Sequence, residues 1–156
     1  MADPAEFITI NSVKLAIRGA WLLVDPTPFL GQGSYRGSDR VIAGEAGRLA
    51  RTRVLDAMDL VVPMYVFGVN NQGGTAHANA RLGLRNNLEY LRANLLPPYT
   101  GSDSVAITHT FSDASTRTGL CIVNELQVAG ALDTHVGKAA VVSLDVTIIG
   151  GKLAAA

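Results

Sequence analysis

The chain has 156 residues, 13 basic and 13 acidic side chains, 48% apolar residues and a mean hydropathy of +0.24. That length suits one domain, 1–156, with a sizeable core. Zero formal net charge argues against a dedicated nucleic-acid binder, and no apolar run approaches the roughly 18 residues of a membrane span, so no membrane insertion is expected. A neutral, rather apolar chain lacks the self-repulsion that keeps a monomer soluble. This points to surface buried in an assembly, with an ordinary globular monomer as the alternative. The N-terminus, MADPAEF, has neither the basic nor the apolar region of a signal peptide, so synthesis in a cytosol is expected. The single cysteine, Cys121, forbids an internal disulfide and reads as a small core residue of a strand.

In chain order, FITI (7–10) reads as a first short strand, and Val13, Leu15 and Ile17 alternate with polar or small residues after it. AWLLV (20–24) is a second apolar run, stopped by DPTP, whose two prolines forbid ladder bonds. Residues 55–68 alternate with period two, with Met58, Leu60, Val62, Met64 and Val66 on one apolar face. Pro63 cannot donate to a ladder, so this strand is expected at an edge or bulged there. A helix is expected over about 75–96, capped by Thr75 and ended by Pro97-Pro98, with the stripe Leu84, Leu88, Leu91 and Leu95 as its core face. Gly83 inside that helix costs about 1 kcal/mol against alanine, which suggests close approach of a neighbouring backbone.

Three strands complete the chain. They place Val105, Ile107, His109 and Phe111 on one face of the first, and Leu120, Ile122, Leu126 and Val128 on one face of the second, with Asn124 as an exception. Val142, Leu144, Val146 and Ile148 face inward on the third. Strands, one helix, then strands make an α+β, mainly β domain. A two-sheet β-sandwich or barrel with one flanking helix fits best.

No chemistry stands out. His77, His109 and His135 lie in no metal-ligand spacing with another His, a Cys or a carboxylate, so no metal site is expected. No nucleophile elbow is present, and GQGSYRG lacks the Gly-Lys-Ser/Thr ending of a phosphate loop. Neither an enzyme nor a cofactor is expected.

The segment between the two apolar runs, about 27–53, reads as a long extended loop. Its part 33–53 holds five arginines, Arg36, Arg40, Arg48, Arg51 and Arg53, among ten in the whole chain. Asp39, Glu45, Asp56 and Asp59 lie among or beside them. A guanidinium fork pairs with carboxylates and stacks on aromatics, which favours protein interfaces. Interleaved acids weaken the field a phosphate backbone would feel. The readings are an arm gripping another protein, a solvated loop, or a nucleic-acid patch.

Several short patterns line up along residues 7–150. They are I-x-I-N at the start, R-G-S-D-R-V-I-x-G-x-x-G after a Pro-rich turn, an Asp before a long strand ending in V-F-G, and N-L-x-x-L in the helix. The residues carrying them are Arg36, Gly37, Asp39, Gly44, Gly47, Asp56, Gly68, Asn87, Leu88 and Leu91. In this the chain resembles the small tail proteins of long-tailed actinobacterial phages, and among them the N-terminal domain of the distal tail protein. The resemblance implies a β-sandwich with one flanking helix. It also implies a homo-hexameric ring in the virion tail, assembled in the host cytoplasm, whose neighbours extend a sheet across subunits. Its implied partners are the tail tube, the tape-measure protein and the baseplate hub or tail-associated proteins, with DNA only as passing cargo. The long segment becomes the arm to the next subunit or ring, with Arg36, Gly37, Asp39, Arg40, Gly44, Gly47, Arg48, Arg51 and Arg53 as its interface residues. Distal tail proteins commonly carry a second, C-terminal domain, for which this sequence has no room. A minimal distal adaptor ring, a tail-tube subunit and a terminator or connector factor therefore all stay open, beside a small non-viral binding domain.

Overall fold

The alternating apolar runs become strands around one core. A computed structural model describes residues 2–36, 40–41, 48–49, 54–131 and 139–156, with backbone alone at 40–41, 48–49 and 131. The strands are β1 Phe7–Ile10, β2 Val13–Lys14, β3 Ala16–Ile17, β4 Trp21–Leu23, β5 Tyr35–Arg36, β6 Arg40–Val41 and β7 Arg48–Leu49. They continue as β8 Val54–Leu55, β9 Met58–Phe67, β10 Val105–Thr110, β11 Thr116–Ala131 and β12 Ala139–Ala155, with the helix α1, Ala80–Leu95, between β9 and β10.

Eight strands form one antiparallel sheet in the order β2-β1-β10-β11-β12-β9-β4-β3. Its two ends are neighbours in the chain, separated by Leu15. The Leu15 N–H donates to the Ile8 carbonyl at 2.8 Å, and the Leu15 carbonyl accepts from the Leu23 N–H at 3.0 Å. Segment 13–17 is thus bonded to β1 on one side and to β4 on the other, and the sheet closes on itself. The Trp21 indole N–H donates to the Lys14 carbonyl at 2.8 Å and fastens this seam. Side chains from β1, β4, β9, β10, β11 and β12 meet in one core, with Trp21, Ile8, Ile107, Val123, Met64 and Leu144 among them. The α+β, mainly β class therefore holds, and its strands wrap a single core.

The helix starts later than the expected 75. Asn79 is its N-cap, and its side-chain oxygen accepts from the Arg81 and Leu82 amides at 3.0 and 3.3 Å. Asparagine outranks threonine as a cap, and Ala76 and His77 are held extended by pairing with Asn70 and by a bond to the Val69 carbonyl. The buried face also differs from the leucine stripe. It runs Gly83, Asn87, Leu91, Leu95, while Leu84 and Leu88 are half-buried on its shoulder.

Gly83 and Gly68 explain how tightly α1 lies on the end of β9. A Cβ on Gly83 would overlap the Gly68 carbonyl oxygen and the His77 ring, and one on Gly68 would overlap the Ala80 carbonyl oxygen and the Leu84 amide nitrogen. Asn87, buried, adds the polar pin. Its amide donates to the Phe67 and Asn70 carbonyls at 2.6 and 2.8 Å, and its oxygen lies 3.3 Å from His77 Nε2. Asn87→Ala is expected to strand both carbonyls at about 1–3 kcal/mol of lost stability. The check is thermal melting, where each kcal/mol moves the midpoint by about 2–4 °C in a domain of this size.

Beyond α1, the Tyr99 hydroxyl donates to the Leu95 carbonyl and accepts from the Val123 amide, both at 3.0 Å. Burial pushes the phenol above its ordinary pKa, which keeps that donor protonated.

One strand departs from its expected faces, and another from its expected edge or bulge at Pro63. In β11 the inward residues are Cys121 and Val123, and Leu120 and Ile122 point away from the core. A register shift between Val123 and Glu125 inserts Asn124 as an extra residue, after which Leu126 and Val128 share the inner face, opposite Leu144 and Val142, with Leu126 buried and Val128 exposed. The Asn124 exception in the alternation is this bulge. The second strand is β9, which pairs with β12 along its whole length without a bulge. Its pairing with β4 ends where the Val24 N–H donates to the Pro63 carbonyl at 3.1 Å. A residue's N–H and C=O point to the same side of a strand, so the missing N–H of Pro63 faces β4 and interrupts nothing in the β12 ladder. From Val62 back to Met58 that side of β9 has no ladder partner among the described residues.

Cys121 is fully buried, and burial pushes its thiol up to about 12. It is expected to resist a thiol reagent at pH 8 until denaturant is added, because the thiolate is the reactive form. Rapid labelling of the native protein would show this face of β11 to be open.

Candidate assembly surface

The segment expected as a plain extended loop is more ordered than that. Residues Thr27–Leu30 form a 3-10 turn that buries Phe29. Beyond it, β5 pairs antiparallel with β8 (Tyr35 opposite Leu55, Arg36 opposite Val54), and β6 pairs with β7 (Arg40 opposite Leu49, Val41 opposite Arg48). Both ladders pair a residue before position 42 with one after position 47, in registers that differ by one residue. Neither ladder joins the eight-stranded sheet.

The root of the arm is a close junction of three backbones. The Gly33 N–H donates to the Gly151 carbonyl and the Asp56 N–H to the Ser34 carbonyl, both at 2.7 Å. A Cβ on either Gly33 or Gly151 would overlap the Asp56 carbonyl oxygen, and Gly151 has φ +80°. That left-handed conformation is open to glycine at little cost. It falls where β12 leaves its register with β11, between Leu120–Ile149 and Thr118–Ala154. The Arg36 guanidinium pairs with the Asp56 carboxylate across the root. One end of the arm is thereby bonded to this bulge of β12 through Gly33, and the other lies against it at Asp56.

Of the expected interface residues, Arg36 is exposed at the root, and Arg40 and Arg48 lie on the paired strands of the arm. Gly37, Asp39, Gly44, Gly47, Arg51 and Arg53 lie outside the described residues. Tyr35 and Val54, one on each strand of the root, are 53% and 61% exposed on opposite faces of the ladder, Val54 on the same face as Arg36.

The sheet offers two further surfaces that composition and periodicity did not reveal. β10 covers β11 only as far as Cys121, and the next amide on that side, Val123, is taken by Tyr99. From Asn124 to Ala131, β11 has a ladder partner only in β12 among the described residues. With the free stretch of β9, Met58–Val62, this leaves unpaired edges on opposite sides of the three-stranded unit β11-β12-β9. The outer face between them carries Asp59, Asp145, Asn124 and Thr147 in one hydrogen-bonded row, with Val61 68% exposed beside it.

His77 and His109 serve the framework, and His135 lies outside the described residues. His109 is fully buried, its Nε2 lies 2.8 Å from a Glu6 carboxylate oxygen, and its ring stacks on Phe111 at 4.2 Å. Among the described residues, no three His, Cys, Asp or Glu side chains converge in a way that could hold a metal ion.

The fold as a whole matches a solved structure. That structure is the SPP1 Dit (gp 19.1) protein, with a TM-score of 0.54 and 23% sequence identity over 92% of this chain. The chain has the fold of a phage distal tail protein. At that identity the likeness to Dit is one of fold, and the chain spans 49% of the length of Dit. Dit is described as a paradigm of the hub adsorption apparatus in phages infecting Gram-positive bacteria. No protein-family model matches the sequence, and neither does any curated protein.

Proposed function

We propose that this chain is a structural protein of a long-tailed phage, and that copies of it form a ring at the distal end of the tail as the adaptor to the baseplate hub. The observation that carries the proposal is the match of 92% of the chain to the fold of Dit. The surfaces suit the role. A cyclic ring needs one heterologous contact, in which a surface of one subunit meets a different surface of the next. Free edges on opposite sides of β11-β12-β9 supply such a pair: the Asn124–Ala131 edge of one copy beside the Met58–Val62 edge of its neighbour continues one sheet around the ring. Edges alone accept any strand, so selectivity must come from elsewhere. The arm supplies it, rooted beside Gly151 and carrying arginines suited to carboxylates of the next subunit or of another tail protein. The tube, the tape-measure protein and the baseplate hub are the partners of that ring, and DNA passes through it as cargo.

Antibody against this chain, applied to virions and viewed by electron microscopy, tests the position. Label at the tail end remote from the capsid is expected. Label along the whole tail would make the chain a tube subunit, label at the head would make it a connector, and unlabelled virions would overturn the structural role.

A further inference from the structure

The outer shoulder of α1 holds a shallow groove of about 430 Å³ lined by Arg81, Leu84, Arg85, Leu88, Glu89 and Arg92. Leu84 and Leu88 form its floor. Their inner sides pack on the core while their outer sides remain half-exposed. The Arg85 Nε–H donates to the Glu89 carboxylate at 2.9 Å, which neutralises the middle of the rim. Arg81 and Arg92, at the two ends, make no ion pair among the described residues. An apolar floor between two uncompensated guanidiniums is therefore left facing solvent.

From this arrangement we infer that the groove docks an acidic amphipathic helix of another protein. Arg81 and Arg92 lie 11 residues apart along one helix, about 16 Å at 1.5 Å per residue. Two rows of side chains at i and i+4 make a trough into which the ridge of a second helix fits. A partner helix with apolar residues on one stripe and a carboxylate at each end of it, three turns apart, meets both arginines and the leucine floor together. The arm of another copy is the wrong occupant. Residues 33–53 carry five arginines against Asp39 and Glu45, and a basic arm is repelled by a basic rim. A second copy of α1 brings arginines to arginines. The inference stands on the helix surface alone and does not depend on the ring.

The test is fluorescence anisotropy of the full chain with a labelled synthetic helix of about 14 residues, leucines on one stripe and glutamates at both ends, and with its Glu-to-Gln counterpart. The wild-type chain should bind the acidic peptide, the Gln peptide should bind about tenfold more weakly, and Arg81→Glu/Arg92→Glu should lose binding by a similar factor. Both substituted side chains are exposed, so an unchanged melting point shows the fold intact. No binding by the wild type, equal binding of both peptides, or equal binding by the variant would overturn the inference. So would a concentration-dependent dimer abolished by the same variant, or a preference for anionic phospholipid vesicles over the peptide.

Discussion

Gly68→Val is expected to release α1 from the sheet and leave little folded protein. A Cβ at Gly68 meets the Ala80 carbonyl oxygen and the Leu84 amide nitrogen, both backbone atoms in the first turns of a helix. Neither yields by a rotamer change, so α1 as a whole must move. That move breaks the Asn87 bonds to Phe67 and Asn70 and lifts Leu91 and Leu95 out of the core. Overpacking a core costs about 1–3 kcal/mol where side chains can adjust. Against backbone the loss belongs at the upper end of single-substitution effects, on the order of 4 kcal/mol or more. Gly130→Ala is the control, because a Cβ there meets nothing within 4 Å. It should melt within about 1 kcal/mol of wild type, and circular dichroism of the pair checks the account. Equal melting of the two variants would mean that α1 is not seated on Gly68.

Shortening the arm is expected to abolish assembly and spare the fold. Replacing residues 37–53 by Asn-Gly joins β5 to β8 through the two-residue turn that antiparallel pairs favour. The junction of Gly33, Asp56 and Gly151 stays, as does the core, to which the arm adds no buried residue among those described. The melting point should therefore move little while the assembled species disappears. The triple variant Arg36→Ala/Arg40→Ala/Arg48→Ala should act in the same direction. Removing one partner of a desolvated charge pair costs about 2–5 kcal/mol, so each lost pair weakens a contact about thirtyfold or more. Sedimentation of wild type, shortened arm and triple variant, with melting in parallel, decides it. Full assembly of either variant would reduce the arm to a solvated segment and leave the contact to the sheet edges.

Where side chains meet a core, the sequence was readable. Period two placed Met58, Val62, Met64 and Val66 of β9 and Val142, Leu144, Val146 and Ile148 of β12 on the inner face, where they are buried. Burial selects apolar residues one by one, so alternation survives as long as register does. In β11 it fails at Asn124, because a bulge changes register without marking the composition on either side. The helix was readable from its leucines, but its start was not. Thr75 and Asn79 are both capping types, and only the pairing of Ala76 with Asn70 decides between them. Gly83 signalled a close approach, yet its counterpart Gly68 lies at a strand end, where glycine is common in turns. The arm left no periodic trace, because the exposed sides of Tyr35, Arg36 and Val54 carry no burial pattern for a ladder to imprint. The free edges of β9 and β11 are a matter of unequal strand length and pairing partners, which the residues of any one strand do not encode.

The central claim is that this chain closes into a tail ring. Negative-stain electron microscopy of the purified full chain, with class averages taken across its concentration range, tests it most directly. The account predicts rings of six copies around an open channel. Single copies at every concentration, or particles with only two-fold symmetry, would contradict it.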